Sequence, residues 1–375
     1  MGDGPGALES VVSAATTPWL GRRVFVTGHT GFKGGWLAWM LARRGAQLTG
    51  YALAPLPEPT LYRAASVAGA FEREHIADIR DAAALRAALA EARPEVVFHL
   101  AAQPLVRASY AEPLATFDTN VMGTANLLDA VRRVGGVRAV VVITSDKCYR
   151  DLGPPCREDD PLGGHDPYSA SKACTEIVAA SYAEAFELPR RGTGVATARA
   201  GNVLGGGDWN ADRLVPDMLR AVDSGAAPLL RNPHAVRPWQ HVLDPLAGYL
   251  LLAERLHADP LDYSGAWNFG PPASDAVPVR AVADSLLAIA TADGAKLPPL
   301  AVQTADHAPH EAATLMLDST KARQRLGWRP AFDLDATLRA TWQWHRAWRA
   351  GADMRQATLR QINDHAAKLG AATAP

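Results

Sequence analysis

The chain has 375 residues, a formal net charge of −1, 48% hydrophobic residues and 21% charged residues. These values are typical of a globular protein that is large enough for one large core, or for two smaller ones with a pocket between them. A nearly neutral chain lacks the positive charge by which proteins bind nucleic acid or anionic membrane surfaces. No apolar run reaches the roughly 18 residues of a membrane span.

The N-terminus and the cysteines both point away from secretion. Residues 1–20 lack the basic start and apolar centre of a signal peptide, and we expect a flexible arm there. Cys148, Cys156 and Cys174 are odd in number and lack metal-ligand spacing, so neither a disulfide framework nor a metal site is predicted. A reducing cytoplasm is the expected location.

Valine-rich apolar runs alternate with segments of helical period in the first half of the chain. The runs cover residues 22–27, 95–102 and 139–146, and residues 81–93 have a helical pattern. Strands that are apolar throughout and alternate with helices are typical of a parallel sheet covered on both faces. The sequence therefore predicts an α/β fold with a doubly wound parallel sheet.

The alternation loosens after residue 200, where Gly, Pro, Trp and Asn become frequent. We expect a first domain over residues 21–200. A smaller, mainly C-terminal α/β substrate-binding lobe should cover residues 201–350, with some segments returning to the first domain. A tail should occupy residues 351–375.

Three glycines follow the first strand and open the next helix. Gly28, Gly31 and Gly34 stand in the order Thr-Gly-x-x-Gly-x-x-Gly. Glycine lets the backbone approach a pyrophosphate closely, and a helix start offers unpaired N–H groups to it. Alone, the triplet would equally fit a tight turn in any α/β protein. Its position in the first strand-helix unit favours a Rossmann-type dinucleotide-binding domain.

Two features near this motif leave alternatives open. The second strand, near residues 48–55, carries no acid to bind a ribose 2′-hydroxyl, so it does not decide between NAD and NADP. Asp78 follows the third strand and fits two roles equally well. It could contact the adenine amine, or it could be the N-cap of the next helix.

Tyr168 and Lys172 are four residues apart, which places them on one face of a helix. Two unit charges about 4 Å apart interact by about 4 kcal/mol at an effective dielectric near 20, which corresponds to roughly three pKa units. A lysine could therefore bring the pKa of a phenol close to neutrality, and the pair could act as a base. The alternative is a surface helix with an exposed Tyr and Lys, which would be preferred for an isolated pair.

Together these residues resemble the extended short-chain dehydrogenase/reductase superfamily, the NAD-dependent epimerases and dehydratases, which act mostly on nucleotide sugars. The resemblance covers roughly residues 20–350 and is carried by the glycine turn, "HLAAQ" at 99–103, Asn120, Ser145 and the Tyr168/Lys172 pair. It implies NAD as cofactor, and a homodimer formed through helices around residues 120–133 and 167–187. The implied cofactor-binding residues are Gly28, Thr30, Gly31, Phe32, Lys33, Gly34, Asp78, Ile79, Leu100, Ala101, Ala102, Gln103, Thr119, Tyr168 and Lys172.

The segment "TSDKCY" indicates which enzymes of this superfamily the chain resembles more, the epimerases or the dehydratases. Sugar-nucleotide epimerases usually place only a hydroxyl after this strand, whereas here Ser145 is followed by Asp146 and Lys147. A 4,6-dehydratase needs such additional groups, because it must also remove a C5 proton and protonate a departing C6 hydroxyl. With "GHTGFKGGW", "GNVLGGGDW" and "RPWQHV", the segment resembles the 4,6-dehydratases that act on CDP-glucose in deoxysugar synthesis, for example for O-antigens.

The resemblance implies a role for each catalytic residue. Tyr168, with Lys172 lowering its pKa, would take the proton of the sugar 4-hydroxyl, and Ser145 would bond the same oxygen. Lys147 would be the C5 base, and Asp146 would protonate the C6 hydroxyl. The implied substrate contacts are Asn202, Arg213, Arg237 and Asn268.

Several alternatives stay open. Asp146 and Lys147 could form a structural ion pair, and either arginine could be a plain surface charge. The chain could also be an epimerase, a dehydratase for another nucleotide sugar, or a non-catalytic NAD-binding regulatory protein.

Overall fold

The computed structural model describes residues 18–150, 155–295, 298–302 and 316–372. The strands are β1 (Arg23–Thr27), β2 (Gln47–Ala52), β3 (Arg73–Ile76), β4 (Val96–His99), β5 (Ala139–Ile143), β6 (Gly194–Ala200), β7 (Asn202–Leu204), β8 (Leu229–Leu230), β9 (Val236–His241), β10 (Gly265–Phe269), β11 (Ala276–Pro278) and β12 (Ala301–Val302). The helices are α1 (Phe32–Ala42), α2 (Leu61–Ala64), α3 (Ala82–Ala92), α4 (Val106–Ala111), α5 (Pro113–Phe117), α6 (Gly123–Val134), α7 (Pro167–Ala185), α8 (Leu214–Ser224), α9 (Leu243–Ala258), α10 (Pro260–Tyr263), α11 (Val279–Ala292), α12 (Thr320–Leu326), α13 (Leu334–Arg349) and α14 (Met354–Ala372).

Shorter turns interrupt these elements. A π-helical turn at Asp118–Met122 joins α5 to α6, and a 3-10 turn at Asp146–Cys148 follows β5. None of the helices within the described ranges combines the length and the apolar character that a membrane span requires.

Seven strands form the main sheet in the order β10-β6-β5-β4-β1-β2-β3, and every neighbouring pair is parallel. The chain order reverses between β1 and β4, which is where doubly wound sheets bind their ligands. One core packs α1 and α9 on one face, and a second core packs α3 and α6 on the other. This arrangement confirms the predicted doubly wound α/β fold.

A third core lies outside the main sheet. It joins α8, α11 and α13 to a small sheet of β11, β9 and β7, with large side chains such as Trp239 and Trp342 in its interior. β10 comes from the later part of the chain but pairs with β6 at the edge of the main sheet. The main sheet therefore contains a strand from beyond residue 201, and the domain division stays a prediction.

Both predicted terminal segments contribute to the packed structure. Residues 1–17 lie outside the described ranges, but Trp19, within the predicted arm, is fully buried and donates a hydrogen bond to Glu254. Most of the predicted tail is α14. Thr358 on this helix accepts a hydrogen bond from Trp344 at 3.0 Å, and His365 bonds to Asp244 at 2.8 Å.

A buried ion pair connects α7 to β6. Both side chains are only 3% exposed, and the Arg199 guanidinium donates to both carboxylate oxygens of Glu176, at 3.0 and 2.9 Å. Hydroxyl groups of Thr144 and Thr197 donate to the same carboxylate. Arg199 also donates to the Tyr149 hydroxyl at 2.7 Å. Because each charge has several partners, the pair can exist away from water.

We expect Glu176→Gln to lower the free energy of unfolding by about 3–5 kcal/mol, because it leaves the Arg199 charge buried without its counter-ion. Denaturant titration measures this loss. The double variant Glu176→Leu/Arg199→Met should lose less than the sum of the two single variants. As a control, Arg339→Met breaks the ion pair with Asp335, whose side chains are 56% and 65% exposed, and it should change the stability far less. If Glu176→Gln and Arg339→Met lowered the free energy of unfolding equally, the buried pair would not stabilise the fold.

Candidate active site

The carboxyl ends of β1 and β4 meet so closely that only glycine fits between them. Gly28 has φ +74°, and a Cβ there would lie 2.6 Å from the Ala101 nitrogen. A Cβ on Gly34 would lie 2.3 Å from the Gly28 carbonyl oxygen. The turn therefore keeps its backbone exposed to a ligand, as close approach to a pyrophosphate requires.

The start of α1 is open in the same place. Its N-cap is Gly31, which provides no side-chain acceptor, so N–H groups of the first turn remain available to an anion. The Thr30 hydroxyl donates to the Leu53 carbonyl at 3.0 Å and fixes the turn to the end of β2. Phe32 and Lys33, which begin the helix, are half-buried. These features fit the diphosphate of a dinucleotide.

The segment after β4 is held by backbone N–H groups. Those of Leu100 and Ala101 both donate to the Thr27 hydroxyl at 3.1 Å. The Gln103 N–H donates to Asn120 Oδ1 at 2.8 Å, and Asn120 in turn donates to Ser171 on α7 at 2.8 Å. Asn120 lies in the π-helical turn, a feature often found at functional sites.

This connection joins residues 100–103 to the helix that carries Tyr168. Thr119 precedes Asn120 in the π-helical turn and is half-buried, as is Ala102. Asn120 was predicted only as one of the residues that carry the family resemblance. Its bonds to two separate segments could not be read from local pattern.

Asp78 is not the N-cap of α3. The N-cap is Asp81, which accepts hydrogen bonds from the Ala83 and Ala84 N–H groups at 3.1 and 2.9 Å. Asp78 instead pairs with Arg80, whose hydrogen bonds lower the pKa of the Asp78 carboxyl. The helix-cap alternative is therefore wrong, and adenine contact by Asp78 and its buried neighbour Ile79 remains a prediction.

Local sequence fixes where α7 begins. Asp166 is the N-cap and accepts a hydrogen bond from the Ser169 N–H at 2.9 Å, and Pro167 is the first helical residue. Tyr168 therefore lies in the first turn, and Lys172 follows one turn later. They are only 8% and 5% exposed, so the alternative of a surface pair is wrong.

The pKa of Tyr168 differs from the sequence prediction. Burial raises the pKa of the Tyr168 phenol to about 12, although hydrogen bonding to Ser145 lowers it. Burial also lowers the pKa of Lys172 to about 8, and its Nζ donates to the Ile143 carbonyl at 3.1 Å. The predicted lowering considered only the charge of the lysine. Desolvation outweighs that effect here, because it disfavours the charged form of both side chains.

One carboxylate oxygen of Asp146 accepts a hydrogen bond, and the other has no partner among the described residues. Ser145 caps the turn after β5, accepting from the Lys147 N–H at 3.2 Å and donating to Asp146 Oδ1 at 3.0 Å. Asp146 is 2% exposed, and among the described residues its Oδ2 has no hydrogen-bond partner. No ion pair joins Asp146 to the half-buried Lys147 within this part of the chain, which contradicts the structural ion-pair alternative.

Two predicted binding residues with positive charge belong to this region. They are Lys33, predicted to contact the cofactor, and Arg213, predicted to contact the substrate. Burial and the nearby Arg213 lower the pKa of Lys33 to about 8, whereas Asp146 and Asp208 raise it. Arg213 precedes α8 and donates to Asp208 at 3.2 Å. The charge of Asp146 thus acts on Lys33, and the charge of Arg213 acts on both Lys33 and Tyr168. Asn202 is half-buried at the start of β7.

One of the predicted substrate contacts is found in other surroundings. Asn268 is fully buried, accepts a hydrogen bond from the Tyr149 hydroxyl at 2.8 Å and donates to the Cys156 carbonyl at 2.9 Å. It belongs to the network around Arg199, and the structure does not place it in the site. Arg237 is 7% exposed in β9 and donates to the Val236 carbonyl at 2.9 Å.

Comparisons with known proteins identify the family. A family model described as GDP-mannose 4,6 dehydratase matches residues 25–341. The CDP-glucose 4,6-dehydratase of Salmonella typhimurium strain LT2 is 47% identical over 92% of this chain and 97% of the relative. The chain belongs to the GDP-mannose 4,6 dehydratase family. Membership confirms the predicted resemblance to the extended short-chain dehydrogenases/reductases.

Solved structures of related enzymes share the fold of this family member. The UDP-glucose 4-epimerase of Thermus thermophilus, solved as a complex with NAD, matches with a TM-score of 0.72 at 25% identity, over 86% of this chain and 99% of the epimerase. A Streptomyces venezuelae dTDP-glucose 4,6-dehydratase, solved with NAD bound, matches with a TM-score of 0.73 at 24% identity, over 89% and 99%.

The lowered pKa of Lys172 predicts a pH-dependent stability. Between its folded pKa of about 8 and its ordinary value of 10.5, the unfolded lysine binds a proton that the folded one does not. The free energy of unfolding should therefore rise through this window, by about 3 kcal/mol from this group. Lys172→Met should lack that rise, and denaturant titrations at several pH values measure it. Parallel pH profiles of variant and wild type would contradict the assignment.

Proposed function

We propose that the chain removes water from CDP-glucose in an NAD-dependent reaction and releases CDP-4-dehydro-6-deoxyglucose. The observation that carries the proposal is the buried Asp146 carboxyl group, open at one oxygen, beside the Ser145 and Tyr168 hydroxyls. An epimerase needs only the hydroxyls at this place. A dehydratase also needs an acid.

NAD fits the glycine turn and the open start of α1, and when bound it accepts a hydride from sugar C4 and later returns one to C6. Gly28, Gly31 and Gly34 would hold its diphosphate, with Leu100–Gln103 along the neighbouring strand end. Tyr168, as phenolate, takes the proton of the 4-hydroxyl and becomes a neutral phenol, and Ser145 bonds the same oxygen. Burial raises the pKa of the Tyr168 phenol, whereas hydrogen bonding to Ser145 and the charge of Arg213 act in the opposite direction, towards the phenolate that this transfer requires.

The second half of the reaction belongs to the turn after β5. A ketone at C4 acidifies the C5 hydrogen, which passes as a proton to the unprotonated amine of Lys147. Asp146 gives its proton to the C6 hydroxyl, which leaves as water. Lys147 then returns its proton to C5. A proton from Tyr168 restores Asp146, so the net change is the loss of one water molecule.

Cytosine as the base is the finer part of the proposal. It rests on similarity to the Salmonella typhimurium enzyme, because no local pattern of residues identifies the base. A panel of CDP-, dTDP-, UDP- and GDP-glucose separates the possibilities. The highest kcat/KM is expected for CDP-glucose, and preference for another base would revise the substrate while leaving the reaction type intact.

Replacing single groups should stop the reaction at different points. Tyr168→Phe should lower kcat by at least about a hundredfold while NAD still binds, because the base for the 4-hydroxyl is gone. Asp146→Asn should still oxidise C4 and exchange the C5 hydrogen with solvent deuterium, but lose water at least about a hundredfold more slowly. Mass spectrometry of the sugar nucleotide follows both steps. Water loss at the wild-type rate in Asp146→Asn would contradict the role of Asp146 as the acid.

We also propose a homodimer formed through the predicted helices around residues 120–133 and 167–187, with α5 and the π-helical turn beside α7 in the same interface. These elements pack together, and they carry the exposed apolar side chains Leu114, Met122 and Ile177, which are 83%, 51% and 57% exposed. Clustered exposed apolar side chains are typical of a protein interface.

The double variant Leu114→Asp/Ile177→Asp should raise the dimer dissociation constant at least about tenfold, because it introduces like charges across the interface. Light scattering with size-exclusion chromatography measures the mass as a function of concentration. Leu261→Asp is the control, since Leu261 is 65% exposed on α10 outside this face. A dimer that resists the double change, or a monomeric wild type, would contradict the proposed interface.

A cytoplasmic location completes the proposal. Cys148 and Cys174 are free thiols, which persist in a reducing compartment. Fractionation of the producing cells tests this location.

A further inference from the structure

Tyr249 carries a buried hydroxyl that no hydrogen bond explains. The residue lies in the middle of α9 and is 0% exposed, and within the described part of the chain its hydroxyl has no hydrogen-bond partner. Its ring is well packed, edge-on against Phe269 with ring centroids 5.4 Å apart. Packing alone would be served equally well by phenylalanine. A hydroxyl without a partner in the interior costs free energy, so its presence needs a reason.

The second unpaired group in this region is Oδ2 of Asp146. α9 packs against β5, the strand that leads into Asp146, and against the neighbouring β6. Gly201, which follows β6, leaves room on the side of Oδ2, because a Cβ there would lie 2.7 Å from that oxygen. Burial raises the pKa of the Tyr249 hydroxyl, and Asp146 and Tyr168 raise it further when they are ionised. The hydroxyl therefore stays a hydrogen-bond donor.

We propose that Tyr249 is a positioning residue for Asp146, whose hydroxyl donates a hydrogen bond to the carboxylate that forms when Asp146 gives up its proton. This inference rests on the proposed function of Asp146 as the acid. Asp146 Oδ1 already accepts from Ser145, so Oδ2 is the oxygen left for the Tyr249 hydroxyl. A donor that is unpaired in the resting protein and paired only as charge develops stabilises the later state selectively.

The proposal predicts which step Tyr249 affects. C4 oxidation and C5 proton removal depend on Tyr168 and Lys147, so they should proceed without the Tyr249 hydroxyl. Loss of water creates the Asp146 carboxylate, so this step alone should slow. A hydrogen bond to a charged group corresponds to a factor of roughly ten to a hundred in rate.

The test uses Tyr249→Phe in the full-length protein with CDP-glucose, NAD and deuterated solvent. Mass spectrometry reports two quantities, the deuterium at C5 of the unreacted or oxidised sugar and the yield of the sugar that has lost water. We expect deuterium exchange at the wild-type rate, water loss slowed roughly ten- to a hundredfold, KM within about twofold of wild type, and an unchanged or higher melting temperature.

Tyr263→Phe is the matched control. It removes the hydroxyl oxygen from a half-buried tyrosine on α10. This tyrosine comes just before β10, at the amino ends of the strands, whereas the candidate site lies at their carboxyl ends. It should leave exchange and water loss at wild-type rates.

Each other outcome counts against a defined statement. Water loss at the wild-type rate in Tyr249→Phe would overturn the inference and leave the proposed function standing. A lower melting temperature with exchange and water loss slowed equally would show that the hydroxyl has only a structural role, which also overturns it. A wild-type protein that dehydrates none of the nucleotide sugars would overturn the proposed function and this inference with it.

Discussion

The proposed catalytic centre depends on one buried electrostatic contact, the pair formed by Arg199 and Glu176. Each charge can remain in the interior only if the other is in place, because an unpaired ion there is far from water. The pair also bonds one residue on each side of the segment 145–148, which carries the proposed acid and base. Thr144 donates to Glu176, and Tyr149 accepts from Arg199. The segment of Ser145, Asp146 and Lys147 is thus anchored at its two ends by one interaction.

The same contact relates the turn to the helix opposite. Glu176 and Tyr168 lie on one helix, about 12 Å apart along its axis at 1.5 Å per residue. Fixing Glu176 against β6 therefore also fixes where Tyr168 stands relative to Asp146. Sites that need two hydroxyls and an acid in one place gain from such a shared anchor, since a side chain on a loose loop would lose its orientation. The ion pair lies behind the chemistry and touches no reacting atom.

The sequence predicts those parts of the protein whose signal is local. The valine-rich strands, the glycine turn and the Asp-Pro start of the helix carrying Tyr168 each depend on residues a few positions apart. Asn268 could not be placed in this way, because it bonds to Tyr149, which is 119 positions away in the chain. The resemblance predicted a substrate contact there, whereas the fold uses the side chain to satisfy a buried hydroxyl.

Burial was the other quantity that the sequence could not supply. The charge of Lys172 alone favoured a phenolate at Tyr168, but both side chains prove to be desolvated, and this reverses the direction of the shift. Likewise, helical pattern presents Tyr249 as an ordinary core residue, and only the packed structure reveals that its hydroxyl is unpaired.

Unpaired buried polar groups are costly, and proteins keep them mainly where function requires them. This principle separates the two reactions that the fold could support. Epimerisation and dehydration both begin with oxidation at C4, for which Tyr168 and Ser145 suffice. An acid at C6 has no use in an epimerase, so a buried carboxyl group such as that of Asp146, with one oxygen unbonded, would only destabilise it. In a dehydratase, the same oxygen must stay unbonded until the hydroxyl of the substrate arrives. The reaction would then explain why Asp146 keeps an unpaired buried oxygen in spite of its free-energy cost.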